Sequence, residues 1–394
     1  MSLNTTVSAE RPHIAFFGRR NAGKSSVVNA VTNQNISVVS DTLGTTTDPV
    51  KKAMELLPLG PVVIIDTPGF DDVGALGELR VERTREVLRK TDIAVLVVDG
   101  TLGLSGADKA LVDEFRERKL PYLIVYNKAD LLGEIPQARD EEIYISALTG
   151  EGIEALKEKL ALIVKDEKKE KKIVADLVDP GDTVILVIPI DDAAPKGRII
   201  LPQQQTLREL LDHHCAVICC QPEELSAVIA GLKNPPALVI TDSQAFGRVS
   251  KDTPDNIPMT SFSVLFARYK GKLASLISGA ETLQNLKDGD RVLISEGCTH
   301  RRQCGDIGTV KLPAWIEEYS GAKPQFEFTS GGTFPDDLGD YRLIVHCGGC
   351  MLNEKEMQYR QKAANDAGVP MVNYGIAIAK MNGILDRALK PIDN

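Results

Sequence analysis

Gly18-Arg19-Arg20-Asn21-Ala22-Gly23-Lys24-Ser25 matches the pattern G-x-x-x-x-G-K-[ST], and its flanks decide the fold. Ile14-Ala15-Phe16-Phe17 before it reads as a buried strand, and the run beginning Ser25-Ser26-Val27-Val28 reads as a helix. Strand, glycine-rich loop and helix in that order make a phosphate cradle from loop N–H groups and the positive helix end. Gly18, Asn21, Ala22, Gly23, Lys24, Ser25 and Ser26 are the expected contacts. Lys24 is expected to reach the β- and γ-phosphates, and Ser25 to hold Mg2+.

Four further motifs follow in order. Asp66-Thr67-Pro68-Gly69 ends the apolar strand Val62–Ile65, setting Asp66 near Mg2+ and the Gly69 N–H near the γ-phosphate. Asn127-Lys128-Ala129-Asp130 follows the strand Tyr122–Tyr126, where Asp130 would accept from guanine N1 and N2. Ser146-Ala147-Leu148 follows Ile143–Ile145 and would close on guanine O6. Thr46, within Gly44-Thr45-Thr46-Thr47-Asp48, is the expected switch threonine on Mg2+. Catalysis would fall to Lys24, Thr46, Asp66 and Gly69. These residues resemble translation-factor-class GTPases of the Era and tRNA-modification subgroup. That resemblance implies two details. Phe70 stands where Ras-like enzymes carry a water-positioning Gln, which predicts slow intrinsic hydrolysis. Asn21 stands where some members coordinate potassium, which predicts faster hydrolysis in K+ than in Na+.

The C-terminal region carries different chemistry. Cys298-Thr299-His300 and His346-Cys347-Gly348-Gly349-Cys350 offer three thiols and two imidazoles, each set following an apolar strand (Arg291–Ser295 and 342–345). Thiolates select iron–sulfur clusters, zinc or copper(I), and C-x-x-C lets two sulfurs reach one site. Cys298, Cys347 and Cys350 are the predicted ligands. The fourth position lies between His346 and His300, with Asp306, Glu296 and Cys304 as competitors. A closed Cys3His zinc site is the main rival. Cys215, Cys219 and Cys220 read as buried small hydrophobes, and Arg301 and Arg302 as solvent-facing.

With 394 residues, 43% of them apolar, the chain can build two or three cored domains. A net charge of −9 argues against a nucleic-acid partner, and no apolar run is long enough to span a membrane. The polar N-terminus lacks the core of a signal peptide, and seven cysteines fit a reducing cytoplasm better than a disulfide framework. The fold class is therefore α/β: a P-loop GTP-binding domain over 1–166, a charged linker over 167–176, a small parallel α/β domain over 177–262, and an α/β domain bearing the metal site over 263–394. The small domain reads βαβαβ, with strands at 182–190, Ala216–Cys219 and Ala237–Thr241 and helices at Thr206–His213 and Pro222–Leu232. Gln203-Gln204-Gln205 reads as a loop. Helices are predicted at Val264–Ile277, Glu354–Ala367 and, after Val369–Asn373, Ile376–Leu389, with a mobile loop at 329–340. A sheet so small, without chemistry of its own, suggests completion across a homodimer.

GTPase motifs joined to C-x-H and, after a gap of about 45 residues, H-C-x-x-C resemble the FeFe-hydrogenase maturation GTPase family. The resemblance spans the chain and implies a dimerisation domain at 177–262. It also implies a 4Fe–4S cluster on Cys298, Cys347 and Cys350, with a labile fourth site. It further implies a carrier that receives a di-iron precursor bearing CO, cyanide and a dithiolate bridge. Its partners would be two radical-SAM maturases and the apo-hydrogenase. Two readings compete: a ribosome- or RNA-associated GTPase with a structural zinc module, and a redox protein using Cys347 and Cys350 as a dithiol.

Overall fold

The computed structural model describes residues 11–34, 49–68, 84–167, 171–190, 199–297 and 306–392. The chain forms two compact units, Met1–Glu170 and Lys171–Asn394.

The first unit is a six-stranded sheet in the order β2-β3-β1-β4-β5-β6. Its strands are β1 (His13–Gly18), β2 (Val50–Leu56), β3 (Gly60–Asp66), β4 (Ile93–Asp99), β5 (Tyr122–Asn127) and β6 (Glu142–Tyr144). Among the described residues of this unit only the pairing of β2 with β3 is antiparallel. The central strands are apolar on both faces because helices cover both. Ile14, Phe16, Val95 and Val97 face α1 (Lys24–Thr32) and α3 (Ile153–Glu167), while Ala15, Phe17 and Leu96 pack with Phe115 of α2 (Gly106–Glu117). The start of α2 is fixed by a reciprocal cap between Ser105 and Asp108.

The second unit holds two four-stranded, wholly parallel sheets, β10-β9-β7-β8 and β12-β11-β13-β14. The first comprises β7 (Thr183–Val187), β8 (Ala216–Cys220), β9 (Leu238–Thr241) and β10 (Met259–Ser261). The second comprises β11 (Arg291–Glu296), β12 (Gln325–Ser330), β13 (Leu343–His346) and β14 (Met371–Asn373). One apolar core runs through both, joining Val187, Val239 and Phe246 to Val292, Ile294, Val345 and Ile376. The helices are α4 (Leu201–Asp212), α5 (Leu225–Gly231), α6 (Phe246–Asp252), α7 (Phe262–Lys270), α8 (Leu273–Ala280), α9 (Leu312–Ser320), α10 (Glu354–Asp366), α11 (Tyr374–Met381) and α12 (Leu385–Leu389).

Several expectations are corrected. Gln203-Gln204-Gln205 is helical, not a loop: Pro202 opens α4, and the Gln203 side chain accepts from the Ile200 N–H at 3.0 Å and donates to Asp242 at 2.6 Å. The helix expected over 264–277 is two helices parted at Gly271, and that over 376–389 breaks before Gly383, which takes φ +69. The stretch 329–340 begins inside β12 and is anchored by buried Phe334 and Leu338. Cys215 and Cys220 are buried as expected, but Cys219 is exposed on β8, an edge strand of its sheet.

Candidate nucleotide site and candidate metal centre

The nucleotide motifs converge at the strand ends of the first unit. Gly18 ends β1 against β4, where an added Cβ would lie 2.7 Å from the Val97 carbonyl oxygen. Asn21 and Gly23 take φ 63 and 83, left-handed values that turn the loop into α1. A Cβ on Gly23 would also lie 2.2 Å from Asn127 Nδ2. Ala22 is buried, Ser25 half-buried, and Ser26 and Asn21 exposed. The buried Lys24 ammonium is ion-paired with the Asp66 carboxylate at the end of β3.

Asn127 joins the two walls of the site. It is 3% exposed; its Nδ2 donates to Ala22 O at 3.1 Å and its Oδ1 accepts from Ala147 N at 3.0 Å. Lys128, at φ 67, pairs with Asp99 at 2.6 Å. The Asp99 carboxyl is held below its ordinary range: bonds from Lys128 and Thr101 outweigh the opposing effect of burial. Ser146 is fully buried, its Oγ accepting from Thr149 N, while Asp130 is exposed. Thr46 and Gly69 lie outside the described residues. Asn127→Ala should orphan the Ala22 carbonyl and the Ala147 amide. Each such loss costs about 1–3 kcal/mol, so a fall of about 2–6 kcal/mol in the stability of this unit is expected by urea titration, with weakened nucleotide binding. A variant with unchanged midpoint and nucleotide affinity would remove Asn127 as the brace.

In the second unit β11 and β13 are neighbours, with Ser295 opposite His346. That register brings Gly297 beside Cys347. The Gly297 N–H donates to Cys347 Sγ at 3.0 Å and the Gly349 N–H at 3.4 Å. Two amides aimed at one sulfur suit an acceptor thiolate. Gly349 takes φ +61, and an added Cβ would lie 2.5 Å from Met357 Sδ, so the turn of C-x-x-C needs glycine there. Cys347 and Cys350 are both half-buried. Burial pushes the Cys350 thiol up, with Lys270 opposing. Among the described residues no three His, Cys, Asp or Glu side chains converge as a metal site, and Cys298 and His300 lie outside those residues.

His346, expected as the fourth ligand with His300 as the alternative, has both ring nitrogens engaged. It is wholly buried; its Nδ1 donates to the Cys347 carbonyl at 2.7 Å and its Nε2 accepts from Arg360 at 3.0 Å. Burial, then the Arg360 charge, push its pKa down to about 3. The Nε2 lone pair of the neutral ring is occupied by Arg360 in this arrangement. Arg360 also donates to Glu356 at 2.9 Å and Gly331 O at 2.9 Å, and lies over the Phe334 ring. Glu296, at 4% exposure, accepts from Tyr374 Oη at 3.3 Å; burial, Cys347 and Glu296 raise that phenol's pKa steeply. Arg360, Lys270 and Tyr374 escaped the sequence reading. Glu356 and Arg360 stand four apart on a helix, the one signal that could have marked them.

Known proteins are similar to this chain in separate parts. A family model described as a 50S ribosome-binding GTPase matches residues 13–128. The tRNA modification GTPase MnmE of Laribacter hongkongensis is 36% identical over 156 residues, covering 38% of this chain and 34% of that protein. GTPase Der of Kosmotoga olearia is 32% identical over 185 residues, covering 42% of this chain and 41% of that protein. The chain thus spans about a third of the MnmE proteins it matches. A solved structure of a probable GTP-binding protein engB aligns at 24% identity over 39% of this chain and 99% of that one, with a TM-score of 0.33. The first unit is a P-loop GTPase domain similar to that of MnmE, and two four-stranded α/β sheets follow it in the second unit. Models described as the hydrogen maturase F dimerization domain and tetramerization domain match residues 173–271 and 274–391. The chain belongs to the hydrogen maturase F family.

Proposed function

We propose that this protein is a GTP-hydrolysing scaffold that holds a 4Fe–4S cluster on Cys298, Cys347 and Cys350. It carries a di-iron precursor bearing CO, cyanide and a dithiolate bridge to the apo-FeFe-hydrogenase. The observation that carries the cluster reading is the pair of amides on Cys347 Sγ, one from the residue preceding Cys298. Such a cluster would supply an exchangeable iron site for the precursor's bridging ligands. With His346 engaged by Arg360, the fourth position falls to His300 or to an exchangeable ligand. Radical-SAM maturases would supply the precursor. A second copy of the chain would pair at the dimerization region, whose strand β8 offers an uncharged edge. Among the described residues no helix is long and apolar enough to cross a membrane, consistent with the proposed cytoplasmic site of action.

The nucleotide chemistry follows from the first unit. Lys24 exchanges its Asp66 partner for the β- and γ-phosphates of GTP. Asp66 is then free to act with Ser25 and Thr46 as the residues that would hold Mg2+, and the Gly69 amide meets the γ-phosphate. Asp130 reads guanine N1 and N2, Lys128 lies along the base held by Asp99, and Ser146 and Ala147 close on O6. With Asn21 as a potassium ligand, GTP turnover should rise about tenfold or more from NaCl to KCl at equal ionic strength, the gain that fixed charge at a transferring phosphoryl can supply. Equal rates in the two salts would remove Asn21 from that role.

Anaerobic reconstitution with iron and sulfide tests the whole reading. About four irons per chain and an EPR signal on reduction that changes with cyanide or imidazole are expected. One tight zinc and no signal would favour the ribosome-linked alternative, which the description of the N-terminal family model favours on its own.

A further inference from the structure

We propose that Lys270 is a positioning residue for the metal centre, its buried ammonium holding the Cys347–Cys350 loop ready for ligation and biasing the charge of a cluster bound there. The inference rests on the cluster reading above. Lys270 is 5% exposed at the last residue of α7. Its Nζ donates to Gly349 O at 3.1 Å, Leu352 O at 3.0 Å and Cys350 O at 3.4 Å, and lies 5.9 Å from the Phe266 ring centre. Three carbonyls of one short loop therefore converge on one cation, which sets the loop's curvature before any metal arrives.

The position of that cation is itself fixed. Gly271 follows α7, where an added Cβ would meet the Gln361 amide and force it to move. Gln361 Oε1 accepts from Lys272 N at 2.9 Å, locking the turn that follows. A neutral amide could donate to the same carbonyls, whereas carrying a full charge into the core is costly. The charge has a use beside thiolates, because a reduced cluster carries one more negative charge than an oxidised one, and a nearby cation in a low dielectric favours it. Lys270 lies in the stretch matched as the dimerization domain and the loop in the tetramerization domain, so the oligomerising region reaches into the metal loop.

The test uses full-length protein. Lys270→Met keeps length and removes charge, Lys270→Arg keeps charge, and Lys270→Gln keeps a donor without charge. After reconstitution with iron and sulfide, Lys270→Met should favour the oxidised cluster about tenfold, lowering the one-electron midpoint potential by about 59 mV. Lys270→Arg should recover most of it. In metal-free protein, amide exchange over 347–352 should quicken about tenfold in Lys270→Met, the loss of a well-made bond network, and less in Lys270→Gln. Wild-type potential together with wild-type exchange in Lys270→Met overturns the proposal. If Lys270→Met does not fold, an unchanged potential in Lys270→Gln overturns it instead. Wild-type protein that takes up no iron overturns the cluster reading, while the exchange comparison still decides whether Lys270 holds the loop.

Discussion

Arg360→Met should be the most damaging single substitution for the stability of the second unit. Arg360 is wholly buried and Glu356 is 2% exposed. One Glu356 oxygen accepts from Arg360, and the other has no hydrogen-bond partner among the described residues. Removing the guanidinium leaves a buried carboxylate with no countercharge, an unmet Gly331 carbonyl and an unmet His346 Nε2. Breaking one side of a buried pair costs about 3–5 kcal/mol. At roughly 2–4 °C per kcal/mol for a domain of this size, the melting transition of this unit should fall by about 6–20 °C. Adding Glu356→Gln to Arg360→Met should restore much of the loss, because a neutral amide has far less to lose by burial. Calorimetry on metal-free protein decides the matter: an unchanged transition in the single variant would show that the pair is energetically idle.

Cys347→Ala should abolish chelator-resistant iron while leaving GTP hydrolysis within about twofold of wild type, as expected for independent sites. The thiol accepts two backbone amides, so its removal costs both the proposed ligand and the anchor of the Gly297 and Gly349 turns. The nucleotide residues belong to the other compact unit. Iron analysis after reconstitution and phosphate release in the same preparation settle it. Simultaneous loss of both activities would sink the modular picture.

What could be read in advance was whatever depends on short fixed spacing. The P-loop, D-x-x-G, N-K-x-D and C-x-x-C motifs are each set by a few consecutive residues, and the described ones lie at strand ends because parallel sheets put their loops there. What escaped depends on approach between distant segments. Nothing local marks Lys270, the polar end of an apolar helix, as the cation under a loop about eighty residues on. His346 has the right chemistry for a ligand, yet an arginine from the next helix takes its lone pair. Apolar spacing continues across the helix breaks at Gly271 and Gly383, so it does not mark them, and Pro202 masks the first turn of α4. Thr46, Gly69, Cys298 and His300 lie outside the described residues.

The parallel pairing of β11 with β13 bears on the order of events in the cell. Parallel neighbours need a long crossover between them, and here that crossover contains α9 and β12. A nascent chain therefore presents Cys347 and Cys350 as a bare dithiol well after Cys298 has emerged. The three sulfurs proposed as ligands would become a chelate only when the whole sheet has closed. Unlike a zinc finger, in which metal capture and folding are one event, this domain should ripen empty and be loaded afterwards. Iron-starved cells would then accumulate a folded, cluster-free pool that iron can rescue without new synthesis.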